Sequence, residues 1–408
     1  MSKNGQSKQQ MQFYIYLVII LCCVISLAAI QKKDSSINHQ EEKEEFLLTK
    51  QLDDKKQLEK ILVNESICDK ILEVNQTVQS QKEIHGVYYS ASKVSSVEKA
   101  WHIIQQIQGT KINAVVIDVK NDSGKITFQM DHEVAKKANT ITNEIVNIQE
   151  IIEKFHQHGI YVIGRVVAFR DASFAKANRD YALKRKDGSL FVDSAGDVWL
   201  NPYNKQCWKY LVKIGTQAAK VGFDEIQFDY VRFPTQANEN NVDFGVNIMD
   251  YPKTQVITEF IKYAVEMLHL YRVKVSADVF GTIINSKSDG AIVGQDYVEM
   301  SKYLDYICPM IYPSHYGDGC YGLDVPDLQP YALINQVLGD SIQVLNQMDP
   351  TQHCAIVRPW LQDFTASWKK RYQIYGKQQV NDQIRGVSDA GYSQWLLWNS
   401  SGKYSELR

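Results

Sequence analysis

The sequence predicts a (β/α)8 barrel across residues 84–402, and three observations carry that reading. From Ile84 onward, short apolar runs alternate with amphipathic stretches, the pattern of parallel strands joined by crossover helices. Eight such runs are present, the number that closes a barrel. Connections that follow strands are long (171–201, 235–251, 313–330), whereas those leading into strands are often one glycine and a residue or two. A barrel with its site at the C-terminal strand ends is elaborated on that side only. A doubly wound open sheet is the alternative, but no Gly-x-Gly-x-x-Gly follows the first strand.

Three segments precede the barrel. Residues 1–12 are polar. Phe13–Ile30 is a run of 18 residues without a charge, which reaches the lower limit of about 17–25 residues for a transmembrane helix. A cleaved signal peptide is the alternative, since Ser26-Leu27-Ala28 resembles a small-x-small site. The run exceeds the usual signal core of about 7–15 residues, so a retained membrane anchor is the expectation, with the barrel exported to the extracellular side. Residues 31–83 are charge-dense and read as a helical or flexible stalk. Leu58, Ile61, Leu62, Ile71 and Leu72 mark a partial helical stripe, too short for a clear coiled coil.

Within the barrel, Ile84–Tyr89 is the first strand. A helix capped by Ser95 or Ser96 runs to about Gln108, with Glu98 in its first turn. Ile112–Val119 is the second strand, followed by a turn at 120–124. A helix from about Asn143 to His158 stops at Gly159, and Ile160–Phe169 is the third strand. Pro202 opens a helix that Gly222 closes. The fourth strand follows directly. Ile226 and Phe228 take one of its faces, Gln227 and Asp229 the other. Pro252 opens the next helix, ending near Tyr271. Val273–Phe280 and Asp305–Tyr312 are strands five and six, separated by a helix that includes Tyr297–Tyr303. A helix near Tyr331–Leu345 leads to strand seven, His353–Trp360. A last helix near Ser367–Gln378 leads to strand eight, Tyr392–Trp398, and residues 403–408 form a tail.

Composition narrows the function classes. A net charge of −2 gives no basic field for nucleic acid. The seven cysteines show no Cys-x-x-Cys or Cys/His ligand spacing, and His85, His315 and His353 form none either, so no metal site is signalled. A single disulfide stays open. No phosphate loop and no Gly-x-Ser-x-Gly appears, so neither a nucleotide cofactor nor an ordinary serine hydrolase is expected. The 23 tyrosines and seven tryptophans suit a sugar cleft, and equally an ordinary core.

Polar groups gather at the expected strand ends: Asp118 and Lys120, two apart on strand two; Arg165 on strand three; Asp229 and Arg232 at strand four; Asp278 on strand five; Tyr312, Trp360, Asp363 and Trp398 on strands six to eight. Burying so many is costly unless they line a wet cleft or satisfy one another. Two carboxylates over an aromatic-walled cleft are the minimum needed to break a glycosidic bond. Asp229 reads as nucleophile or base, Asp278 as acid, with Asp118, Asp171 and Asp363 as rivals for the second role. A separation of about 5–5.5 Å predicts retention and about 6.5–9.5 Å inversion. Structural ion pairs with Arg165, Arg232 or Arg358, or of Asp118 with Lys120, are the competing explanation. Arg232 is expected to hold Asp229 ionised. Trp360, Trp398, Tyr312 and Trp199 read as sugar platforms, and Trp208, Trp368 and Trp395 as packing residues.

Gly86–Tyr89, Asn113–Lys120, Gly164–Val167, Phe223–Pro234, Ser276–Gly281 and Pro309–Pro313 together resemble the bacterial putative glycosyl hydrolase domain family. The resemblance spans residues 84–402 and implies a barrel, often behind an N-terminal membrane anchor. An acid on strands four and five is also similar, more distantly, to the alpha-amylase-like layout. Asp278 stands where that layout has Glu, and Gln227 lies two residues before Asp229.

These readings converge on a glycoside hydrolase acting on an extracellular or cell-envelope polysaccharide, without metal or organic cofactor. Asp118, Lys120, Arg165, Arg232, Tyr312, Trp360, Asp363 and Trp398 are the expected substrate contacts. The alternatives are a non-catalytic glycan-binding or envelope-organising barrel, and a hydrolase of an amide or ester on a modified sugar. A second carboxylate within about 10 Å of Asp229 discriminates the first two.

Overall fold

The computed structural model describes residues 83–405. The expected N-terminus (1–12), the apolar stretch (13–30) and all but the last residue of the stalk (31–83) lie outside the described residues. Among the described residues, no helix is long and apolar enough to cross a membrane.

Nine strands form one sheet: β1 (His85–Tyr89), β2 (Ala114–Lys120), β3 (Tyr161–Val167), β4 (Glu225–Asp229), β5 (Lys274–Phe280), β6 (Tyr306–Met310), β7 (Ile356–Val357), β8 (Trp360–Gln362) and β9 (Trp395–Trp398). Every pairing is parallel. β1 to β6 pair in order, β6 pairs with both β7 and β8, and β9 joins β8 to β1, so the sheet closes. β7 and β8 are two halves of one stave, which gives eight staves. The expected strand His353–Trp360 breaks at Arg358-Pro359 because a proline has no amide hydrogen for the ladder.

Alternation sorts the side chains into two layers. Val87, Val115, Ile117, Val162, Ile226, Phe228, Val275, Ala277 and Leu397 face outward and pack under the helices. Tyr88, Ala114, Val116, Ile163, Cys308, Trp360 and Leu396 fill the barrel. At the N-terminal end of β4, buried Glu225 accepts from Arg358 and, at 2.5 Å, from Ser276 Oγ.

Local chemistry sets the helix ends. Ser96 caps the helix Val97–Ile107 by accepting from the Lys99 amide, and Ile103, Ile104 and Ile107 form its buried stripe. Asn204, rather than Pro202, caps Lys205–Lys220 by accepting from the Gln206 amide. Gly222 follows with φ +110°, a conformation that side-chain-bearing residues avoid. The helix expected near Ser367–Gln378 is instead Lys377–Asp389. Trp368, Tyr372 and Tyr375 recur at helical spacing in what is a loop, while the true helix is mostly polar and buries Val380, Gln383 and Val387.

Gly164 on β3 faces the helix layer. A methyl group there would meet Phe223 Cδ1 and Val119 Cγ2, each at 2.9 Å. Gly164→Ala is expected to lose about 1–3 kcal/mol, read from the midpoint of chemical denaturation.

Candidate active site

Strand register brings the inward polar residues to one rim. Asp118 lies opposite Arg165, Val167 opposite Asp229, and Asp278 opposite Cys308. Phe228 pairs with Ala277, so Asp229 and Asp278, one residue further on, end neighbouring strands side by side.

Arg165 is the hub. It is 1% exposed and donates to three carboxylates. Nε and Nη2 reach Asp229 Oδ2 at 2.9 and 2.6 Å, and Nη1 reaches Asp118 Oδ1 at 2.7 Å. Nη1 and Nη2 reach the two oxygens of Asp122 at 3.2 and 3.3 Å. Its guanidinium lies over the rings of Tyr88 and Trp398, which stack at 4.2 Å. Burial opposes the charge on Arg165, but Asp229, Asp122 and Asp118 outweigh it and hold the group charged.

The carboxyls differ in environment. Asp229 also accepts the Tyr230 amide on Oδ1 at 2.6 Å. Tyr230 adopts φ +49°, a strained value for a side-chain-bearing residue, and Arg170 fixes its hydroxyl at 2.7 Å. Asp278 is buried and receives Trp360 Nε1 at 2.7 Å. Burial, then the neighbouring Asp229 charge, push its carboxyl well above the usual carboxylate range. Gln295 secures the strand beneath it, bonding the Asp278 carbonyl at 3.3 Å and the Phe280 amide at 3.0 Å. Burial raises Asp118 to about 6 despite Arg165, with the Tyr88 hydroxyl donating to it at 2.7 Å. For Asp122, burial is outweighed by Arg165 and Arg170, which hold it low.

These groups open into a cavity of about 670 Å³. Among the expected site residues, Asp229, Asp278, Arg165, Arg232, Tyr312, Trp360 and Trp398 line it. Asp118 stands behind Arg165 as its support. A bulge between Asp118 and Lys120 breaks the two-apart register and corrects the expectation that they share a face. Lys120 turns away to pair with buried Asp171 at 2.9 Å and to donate to the Val167 carbonyl. Asp363 also lies elsewhere. Its carboxylate accepts the amide and hydroxyl of Ser405, both at 2.7 Å, and so ties down the C-terminal segment.

The aromatic and arginine assignments also change. Arg165, not Arg232, bonds Asp229. Arg232 donates to the Phe233 carbonyl and lies among Phe280, Trp199 and Tyr230 at 4.7, 4.9 and 5.2 Å. Burial in that aromatic nest lowers it to about 10. Trp199 is buried, donating to Asp193. Trp360 is 1% exposed and offers Asp278 its edge rather than a sugar its face.

Asp122, Tyr230 and Gln295 were not singled out from sequence. Asp122 sits just past β2, so the strand-end criterion that selects Asp229 also finds it. The strained φ of Tyr230 and the reach of Gln295 leave no sequence signal. Asp122 lies two hydrogen bonds from Asp229, through Arg165. Among the described residues, no three His, Cys, Asp or Glu side chains converge to hold a metal ion, and Cys207, Cys308, Cys320 and Cys354 are free thiols.

The sequence matches a family model described as a putative glycosyl hydrolase domain over residues 86–404. No curated protein matches it. A hypothetical protein from Ruminiclostridium thermocellum is 34% identical over 47% of this chain and 97% of its own, with a TM-score of 0.43. The PgaB (BpsB) glycoside hydrolase domain from Bordetella bronchiseptica is similar in fold, with a TM-score of 0.55 and 11% identity over 78% of this chain and 94% of its own. The spore cortex-lytic enzyme SleL from Bacillus megaterium is 11% identical over 80% of this chain and 73% of its own, with a TM-score of 0.47.

Proposed function

The chain belongs to the putative glycosyl hydrolase domain family, and from that premise we propose that it cleaves a polysaccharide with Asp229 and Asp278. The observation that carries this reading is the unequal treatment of two neighbouring carboxyls. Asp229 takes three hydrogen bonds, from Arg165 and the Tyr230 amide, whereas burial and the neighbouring Asp229 charge raise the carboxyl of Asp278 well above the usual carboxylate range. Environments that push two carboxyls apart divide the labour of acid and nucleophile between them.

Asp278 gives its proton to the leaving oxygen while Asp229 attacks the anomeric carbon. Asp278, now a base, then takes a proton from the water that releases the sugar. Side-by-side placement on adjacent strands, which lie about 4.8 Å apart, supports the close spacing of retention rather than the wider gap of inversion. Arg165 and Asp118 hold Asp229, and Trp360 holds Asp278. Arg232, Tyr312 and Trp398 face the sugar. The uncharged run Phe13–Ile30 supports an anchor that would present the barrel to envelope or extracellular polymers.

Incubation of the protein with a panel of envelope polysaccharides is expected to generate new reducing ends. A panel left intact at every pH would refute the reading. The alkaline limb of kcat/KM is the titration of Asp278. Trp360→Phe deletes the donor that favours the ionised form of Asp278, so the limb is expected to move to higher pH. A limb that stays or moves down would remove Asp278 from the acid role.

A further inference from the structure

Trp368, expected to be a packing residue, is the most exposed aromatic ring among the described residues, at 66%, with Tyr372 on the same loop at 42%. The ring is not loose. It stacks on Phe364 with centroids 6.0 Å apart and planes 20° from parallel. Both rings meet the edge of His315, at 6.3 and 6.2 Å. His315 and Phe364 in turn meet Tyr312, at 5.3 and 5.8 Å. Tyr312 and His315 line the cavity, so aromatic surface runs without a break from the carboxyl pair to solvent.

The loop that carries Trp368 is fixed from both sides. Lys369 Nζ donates to the carbonyls of Ser314 and Tyr316 at 3.0 and 3.3 Å. Gln373 Nε2 and the Tyr375 hydroxyl donate to the Asp327 carbonyl at 2.6 and 3.0 Å. An indole held rigid in water pays little ordering entropy when a flat apolar surface covers it. The C–H face of a sugar ring is such a surface. A polymer with one ring at the carboxyls must pass its neighbours along one wall of the mouth, and this wall is aromatic.

We infer that Trp368, backed by Phe364, is the platform of an outer sugar-binding subsite that takes a ring of the chain beyond the one being cleaved. The inference rests on the glycosidase reading and adds a position to it. It is tested in an Asp229→Asn background, where binding is separated from turnover. Oligosaccharide ladders from disaccharide to octasaccharide, prepared from the same envelope polysaccharides, are titrated by calorimetry. Affinity is expected to rise with length. Trp368→Ala is expected to weaken the long members about tenfold and leave the disaccharide unchanged, while Trp368→Phe restores most of the loss. Equal binding by Trp368→Ala along the whole ladder would overturn the subsite and leave the glycosidase reading standing. So would concentration-dependent self-association that Trp368→Ala abolishes, because it would assign the ring to a protein contact. A parent that binds no ladder overturns both.

Discussion

Asp229→Asn is expected to lower kcat/KM by at least about 10³-fold, because it removes the group that attacks the anomeric carbon. The amide keeps the shape of the side chain, and Arg165 keeps Asp118 and Asp122 as partners. The variant is therefore expected to fold, with a circular dichroism spectrum like that of the parent. Initial rates of reducing-end release give the loss. A variant retaining more than about a tenth of parent activity would take Asp229 out of the chemistry.

Arg165→Met is expected to cost about 3–5 kcal/mol in addition to activity, since it leaves a buried cluster of carboxylates without its shared cation. The sign of its pH dependence follows from burial. Without Arg165, only the Tyr88 hydroxyl offsets the desolvation that already raises Asp118 to about 6, and Asp122 loses its main counter-charge. Carboxyls with raised folded-state pKa values stabilise below their unfolded values and lose that contribution as pH rises. The deficit is therefore expected to shrink as pH falls toward 5, read from denaturant midpoints. Arg165→Lys is not expected to rescue, because an ammonium cannot reproduce a planar fork that serves three acids. A pH-independent loss of less than about 1 kcal/mol would mean that Arg165 is not the hub.

The strands and the position of Asp229 were legible because each depends on local pattern. Ile226 and Phe228 alternate with Gln227 and Asp229, and a proline follows within a few residues. Arg165 is one of three arginines that the sequence offers as ion-pair partners for the strand-end acids, but Arg232 is the one it assigns to Asp229. Arg165 comes from β3, and only inter-strand register places it beside β4, whereas Arg232 is merely close in sequence. Lys120 was misplaced by a single extra residue in β2, since a bulge reverses facing without altering composition. The last helix was misplaced because Trp368, Tyr372 and Tyr375 imitate a helical stripe. In the structure that periodicity belongs to a loop with two exposed rings, and the true helix hides behind glutamines.

Chemical rescue is the most direct test of the two-carboxyl account. Asp229→Gly leaves a space beside the anomeric carbon that azide can enter on the side Asp229 occupied. In the presence of azide, turnover is predicted to recover and to yield a glycosyl azide whose anomeric configuration is opposite to that of the bond cleaved. A glycosyl azide of unchanged configuration would make Asp229 the acid–base group and contradict the assignment of Asp278.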